Sequence, residues 1–166
     1  MDFRLLGLDP GGSTGYAWTE EPHVSVEQSG VWQLGKVKDP GRRFDYLWGQ
    51  LGLFEPTHVS YEKPGGLRGA AALWWHAGYL ATLQLWCERN GAELALVHPV
   101  TLKKFAAGSA RADKEQMQQA ACRCFRSSLP MDFCDNRVDA LWVLAWGLRE
   151  FGLGEPDEAR AAGGTA

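Results

Sequence analysis

Long apolar runs are missing from this 166-residue sequence, and none approaches the roughly 20 residues that a membrane-spanning helix needs. The opening Met1-Asp2-Phe3-Arg4 does not read as a signal peptide, which points to the cytoplasm. Cysteine is sparse. The four present, Cys87, Cys122, Cys124 and Cys134, are read as reduced thiols. Cys122 and Cys124 stand two apart on a predicted helix and do not face each other, so a thiolate zinc site is disfavoured. Charge of one sign is also lacking. The 17 basic and 20 acidic residues leave a net charge of −3, which argues against an indiscriminate nucleic-acid binder. There is no internal repeat.

What is present suits one globular domain with a real core, since 45% of residues are hydrophobic and 22% charged. Residues 1–152 are expected to form that domain, and the Gly-, Ala- and acid-rich 153–166 a disordered tail. The charges are unevenly placed. Between Thr101 and Arg126, Lys103, Lys104, Arg111, Lys114, Arg123 and Arg126 face only Asp113 and Glu115. A local basic face on an acidic protein is therefore open to it.

The chain is organised around Leu5-Leu6-Gly7-Leu8-Asp9-Pro10-Gly11-Gly12-Ser13-Thr14-Gly15-Tyr16-Ala17. A short apolar run ends in a carboxylate, and a glycine-rich turn follows. Taken alone this fits a hairpin whose Asp starts a turn as well as it fits a functional site. Strands are expected over Phe3–Leu8, Tyr16–Thr19, Ser29–Leu34, Thr57–Glu62 and Ala92–Val97. Asp39-Pro40 opens a helix that ends before Pro56, and Ala70–Asn90 is a long helix closed by Gly91. That long helix carries apolar residues on more than one face, so it is either sandwiched in the core or half of a dimer interface. A short helix over Thr101–Ala106, another opened by Asp113 with Gln116 as a capping box, and a last one over Asn136–Phe151 complete the order. The result is an α/β fold: a five-stranded mixed sheet, three antiparallel strands then two parallel, with helices on both faces.

Asp9 ends the first strand, Glu62 ends the fourth, and Asp135 and Asp139 open the last helix on one face. If the first and fourth strands are neighbours, Asp9 and Glu62 emerge at the same edge. Clustered carboxylates repel unless cations neutralise them, and hard oxygen donors suit Mg²⁺ or Mn²⁺ better than Zn²⁺. Such a set fits two-metal phosphodiester hydrolysis. The bland alternative is that Asp135 caps its helix while Asp139 pairs with Arg137 or Arg111. His98, just before Pro99, reads as structural or exposed. The tryptophans around Trp74-Trp75 and Trp142–Trp146 read as core or dimer packing rather than base-stacking platforms.

Four blocks in order resemble the RuvC-type Holliday junction resolvases of the RNase H-like fold. They are Leu6-Gly7-Leu8-Asp9-Pro10-Gly11 with Thr14-Gly15-Tyr16; Tyr61-Glu62; Pro99-Val100-Thr101-Leu102-Lys103-Lys104 with Gly108 and Ala112-Asp113-Lys114-Glu115-Gln116; and Asp139-Ala140-Leu141. The resemblance implies a homodimer, possible through the helix 70–90, that cuts two strands of branched, four-way DNA symmetrically. It implies two Mg²⁺ per site, 5′-phosphate products, no small-molecule cofactor and a nucleoid setting in a bacterium or phage. It makes Asp9, Glu62 and Asp139 metal ligands and puts Lys114 by the scissile phosphate. Lys103, Lys104, Arg111, Lys63 and Arg68 then become DNA contacts. The family's fourth ligand falls three residues before the last Asp, which here is Asn136, and Asp135 is taken in its place. The loop after Glu62 carries only Leu67 as a wedge, where family members present an aromatic. Competing readings are an RNase H-like nuclease for flaps or RNA–DNA hybrids, a non-catalytic junction binder, and a sugar-kinase or actin-type phosphate-binding domain. The last needs two such domains, and the chain supplies one.

Overall fold

In the computed structural model, residues 2–66, 69–125 and 135–154 are described. Five strands form one sheet in the order β3-β2-β1-β4-β5. β1 (Leu5–Asp9), β2 (Thr14–Thr19) and β3 (Ser29–Trp32) pair antiparallel through short connections. β4 (His58–Glu62) pairs parallel with β1, and β5 (Glu93–Val97) parallel with β4. Parallel neighbours need long crossovers, which α1 (Pro40–Phe54) and α2 (Ala70–Asn90) supply. α3 (Pro99–Ala107), α4 (Lys114–Cys124) and α5 (Asp135–Glu150) follow. This is the expected α/β architecture.

Local chemistry sets the element ends. Asp39 accepts from the Arg42 N–H at 2.9 Å and Pro40 takes the first position of α1. Asp113 and Gln116 form both bonds of the capping box, at 2.9 and 3.0 Å. Gly91 closes α2 in the left-handed conformation. α3 begins two residues earlier than its apolar pattern indicates, because Pro99 suits its first turn and the His98 ring accepts from the Val100 N–H. His98 is thus a structural cap. At the far end of α5, the Leu153 and Gly154 N–H groups bond to the Leu148 carbonyl; residues 155–166 of the expected tail lie outside the described residues.

Strand alternation sorts the core into two layers. Leu6, Leu8, Val59 and Tyr61 point to one face and pack on Leu47 and Leu51 of α1 and on Tyr79, Leu83, Trp86 and Cys87 of α2. Leu5 and Ala17 point to the other and pack on Ala140, Leu141, Leu144 and Leu148 of α5. α3 and α4 cover the outer side of α5, where the Trp142 indole N–H donates to the Met117 carbonyl at 3.1 Å. Trp142 is therefore core. Each fully buried leucine of α5 contributes on the order of 2 kcal/mol of transfer free energy.

α2 is half committed to the core, and its outer side is uncovered. One side is buried in the core, while Leu73, Trp74 and Leu85 on the outside are 55%, 78% and 47% exposed.

Candidate active site

Leu8 of β1 pairs with Tyr61 of β4, so the next residues, Asp9 and Glu62, leave the sheet side by side. Alternation puts both on the α5 face. Asp9 pairs with Gly15 as the last residue of β1, and the turn is closed by Thr14, whose hydroxyl donates to the Gly11 carbonyl at 2.8 Å. The stretch is thus a hairpin as well as a candidate site; the two readings coexist. Gly11 and Gly12 do not use positive φ. Gly12 instead lets Gly35 approach, with the Gly35 N–H donating to the Gly12 carbonyl at 2.6 Å.

The glycines that shape the site lie in the strands. A Cβ on Gly7 would stand 2.6 Å from the Leu144 backbone nitrogen, and one on Gly15 would overlap the Asn136 carbonyl. With hydrogen in both places, α5 lies directly on β1 and β2, and its first turns bring Asp139 to the ends of β1 and β4. Ser60 adds a buried hydroxyl bond to the Val143 carbonyl at 3.0 Å.

Three carboxylates from three elements therefore share one partly buried edge. Burial, then the charges of Asp139 and Glu62, push Asp9 up to about 8. Burial and Asp139 push Glu62 up to about 7, against a lowering by Lys103. Burial and Asp135 push Asp139 up to about 6, against lowering by Lys114 and Lys103. Asp135, one turn before Asp139, is half-exposed and accepts from the Lys114 ammonium at 2.6 Å. The alternative pairing of Asp139 with Arg137 does not occur: Arg137 points to β3, donating to the Ser29 hydroxyl and the Val26 carbonyl.

Of the basic candidates, Lys103 and Lys114 lie within electrostatic reach of the carboxylates. Lys63 lines the cleft beside them. Lys104 and Arg111 are exposed on α3 and in the loop before α4. Leu67, Arg68 and Cys134 lie outside the described residues. The cleft, of about 190 Å³, is bounded by Asp9, Pro10, Glu62, Lys63, Pro64, Gly65 and His76. His76 is not singled out by sequence reasoning. Its signal is there nonetheless: it occupies a core-facing position of α2, four before Leu80 and seven before Leu83.

An all-oxygen donor set that is partly buried and self-repelling has the chemistry for a hard divalent cation. As they stand, no three His, Cys, Asp or Glu side chains among the described residues lie close enough to cage an ion. The fit is one of charge and donor type, which a bound cation would tighten by relieving the repulsion.

No protein-family model matches the sequence, and no curated protein matches it by sequence. Solved structures do match. RuvC of Thermus thermophilus superposes with a TM-score of 0.71 at 16% identity, over 92% of this chain and 99% of that one. T. thermophilus RuvC in complex with Holliday junction substrate gives 0.74 at 16% identity, over 93% and 99%. The yeast mitochondrial Holliday junction resolvase Ydc2 gives 0.59 at 15% identity, over 89% and 78%. At such identities the likeness is one of architecture: this chain has the RNase H-like fold of the RuvC resolvases, along nearly its whole length.

Proposed function

We propose that this protein is a divalent-metal-dependent endonuclease that resolves four-way DNA junctions as a homodimer, in DNA recombination and repair at the nucleoid. The observation that carries the reading is the convergence of Asp9, Glu62 and Asp139, from β1, β4 and α5, at one partly buried edge. A purely structural role offers no reason to gather three carboxylates at a partly desolvated edge. The likeness to a RuvC solved with its junction substrate supports the choice of substrate class.

Asp9, Glu62 and Asp139 would hold Mg²⁺ or Mn²⁺, with Asp135 as the fourth ligand. When bound, two such ions supply an activated water and stabilise the leaving oxygen, giving 5′-phosphate ends. The chain's own residues do the rest. Lys114, held by Asp135, stands ready to exchange that carboxylate for a backbone phosphate near the cut. Lys103 and Lys63 bring positive charge to the strand in the cleft, Lys104 and Arg111 meet the junction farther out, and Arg68 and Leu67 are further contacts to the DNA. Two copies joined through the outer face of α2 would present two such sites, which is what paired, symmetrical nicks require.

The test is a labelled synthetic four-way junction incubated with Mg²⁺ or with EDTA, beside linear duplex, flap and RNA–DNA hybrid. Paired nicks on the junction, lost on chelation and in Asp9→Asn, are the expected result. Equal cutting of the hybrid or the flap, or cutting that survives EDTA, would sink the reading.

A further inference from the structure

α2 lies on the sheet through a stripe of aromatic and aliphatic side chains. Tyr79, Leu83, Trp86 and Cys87 are buried there, and Leu80 packs against them. One turn before Tyr79 the same stripe places His76, where α2 crosses the carboxyl edge of the sheet. The imidazole reaches the cleft beside Asp9 and Glu62 from the face opposite α5. α2 thus contributes His76 to a cleft whose other walls are the ends of β1 and β4 and the loop after Glu62.

The two ring nitrogens differ. Nδ1 is shut off from solvent and has no hydrogen-bond partner among the described residues, whereas Nε2 is not such an orphaned, buried atom. A buried N–H without an acceptor costs about 1–3 kcal/mol. The proton of the neutral ring therefore resides on Nε2, and the shielded Nδ1 is left as a bare lone pair. Nothing among the described residues takes the Nε2 proton. An apolar residue would fill this position of the stripe without an orphaned atom, so the imidazole is explained by what enters the cleft.

Building on the nuclease reading, we propose that the His76 Nε2–H donates to a non-bridging oxygen of the backbone phosphate lodged in this cleft. His76 is then a substrate-binding residue that grips the strand from the α2 side, as an uncharged donor. An uncharged donor has a use here: it adds a contact to phosphate without supplying a fixed counter-charge that would compete with a divalent cation for Asp9 and Glu62.

The experiment measures binding of a fluorescent four-way junction in EDTA, where metal ligation cannot contribute, across a series of salt concentrations. His76→Leu, which completes the apolar stripe and so should melt no lower than wild type, is expected to weaken binding about tenfold. His76→Gln, which retains an N–H at a similar reach, should stay within about threefold. The slope of log Kd against log salt should not change in either, whereas Lys103→Ala should flatten it by about 0.9. A single methylphosphonate in the junction should abolish the difference between wild type and His76→Leu at one position and leave it elsewhere. His76→Phe is a second apolar variant, decisive should His76→Leu fail to fold.

Apolar variants that bind as tightly as wild type overturn the proposal, as does a salt slope that drops by about one. A wild-type protein that cuts the junction while the His76 variants are indistinguishable from it overturns this inference alone. A wild-type protein that neither prefers nor cuts branched DNA overturns the nuclease reading, and this inference with it.

Discussion

Asp9 carries the largest electrostatic load among the described carboxylates. Burial and two neighbouring carboxylates raise its folded-state value to about 8, from an ordinary 3.8. A raised value means that the folded, metal-free protein holds a proton that the unfolded chain releases. That contribution to stability is complete below about pH 4 and is lost as pH rises through about 8. Glu62 and Asp139, raised to about 7 and about 6, act in the same direction within the same window. In EDTA at pH 8, Asp9→Asn should therefore melt higher than wild type, by about 5 °C, and at pH 4 the two should coincide. Mg²⁺ at pH 8 should raise the wild-type melting temperature more than that of the variant. Calorimetry in EDTA and in Mg²⁺ reads both. A variant that melts lower than wild type at pH 8 would mean that the Asp9 carboxylate is stabilised by the fold instead of strained by it.

At the scale of elements, the site depends on how closely α5 can lie on the sheet. Gly7 and Gly15 permit that approach because the α5 backbone occupies the space a Cβ would need. Gly15→Ala should cost about 1–3 kcal/mol of stability by forcing the start of α5 outward. It should also depress cleavage beyond the loss of folded protein, since Asp139 rides on the same turns. Gly49 and Gly52, inside α1 with open space for 4 Å around the place a methyl would take, provide the contrast. Gly49→Ala should raise stability by about 0.5–1 kcal/mol without touching activity. Denaturant melts and single-turnover cleavage of the folded fraction check the pair.

At the scale of the molecule, the proposed dimer would form through the outer face of α2. Leu73, Trp74 and Leu85 stand exposed on a helix whose inner side is already committed to the core. Such a face suits a second copy of the chain. Trp74→Glu combined with Leu85→Glu should shift the protein from dimer to monomer in sedimentation, with the far-ultraviolet circular dichroism unchanged. The same variant should convert paired nicks into single, uncoordinated ones. A wild-type protein that sediments as a monomer, or a double variant that stays dimeric, would place the assembly elsewhere.

Much of this was legible in residue order. Period-two apolar runs, the Asp39-Pro40 and Asp113–Gln116 starts and the Gly91 stop are local devices, and each acts in the structure as its own chemistry dictates. The carboxylates could be nominated from their places at element ends, on the condition, which the sheet meets, that β1 and β4 are neighbours. Other features depend on packing between residues far apart in the chain. The closeness of α5 to β1 and β2 follows from hydrogens at Gly7 and Gly15, which in sequence read only as strand glycines. The choice of Lys103 over its neighbour Lys104 follows from the rotation of α3 against the sheet edge. His76 became part of the site only when α2 was laid across the edge where Asp9 and Glu62 emerge. Sequence alone determined which groups could do chemistry here, because turns, caps and periodicity are local. Tertiary structure decided which of them share a cleft, because burial and mutual charge exist only between elements that have packed.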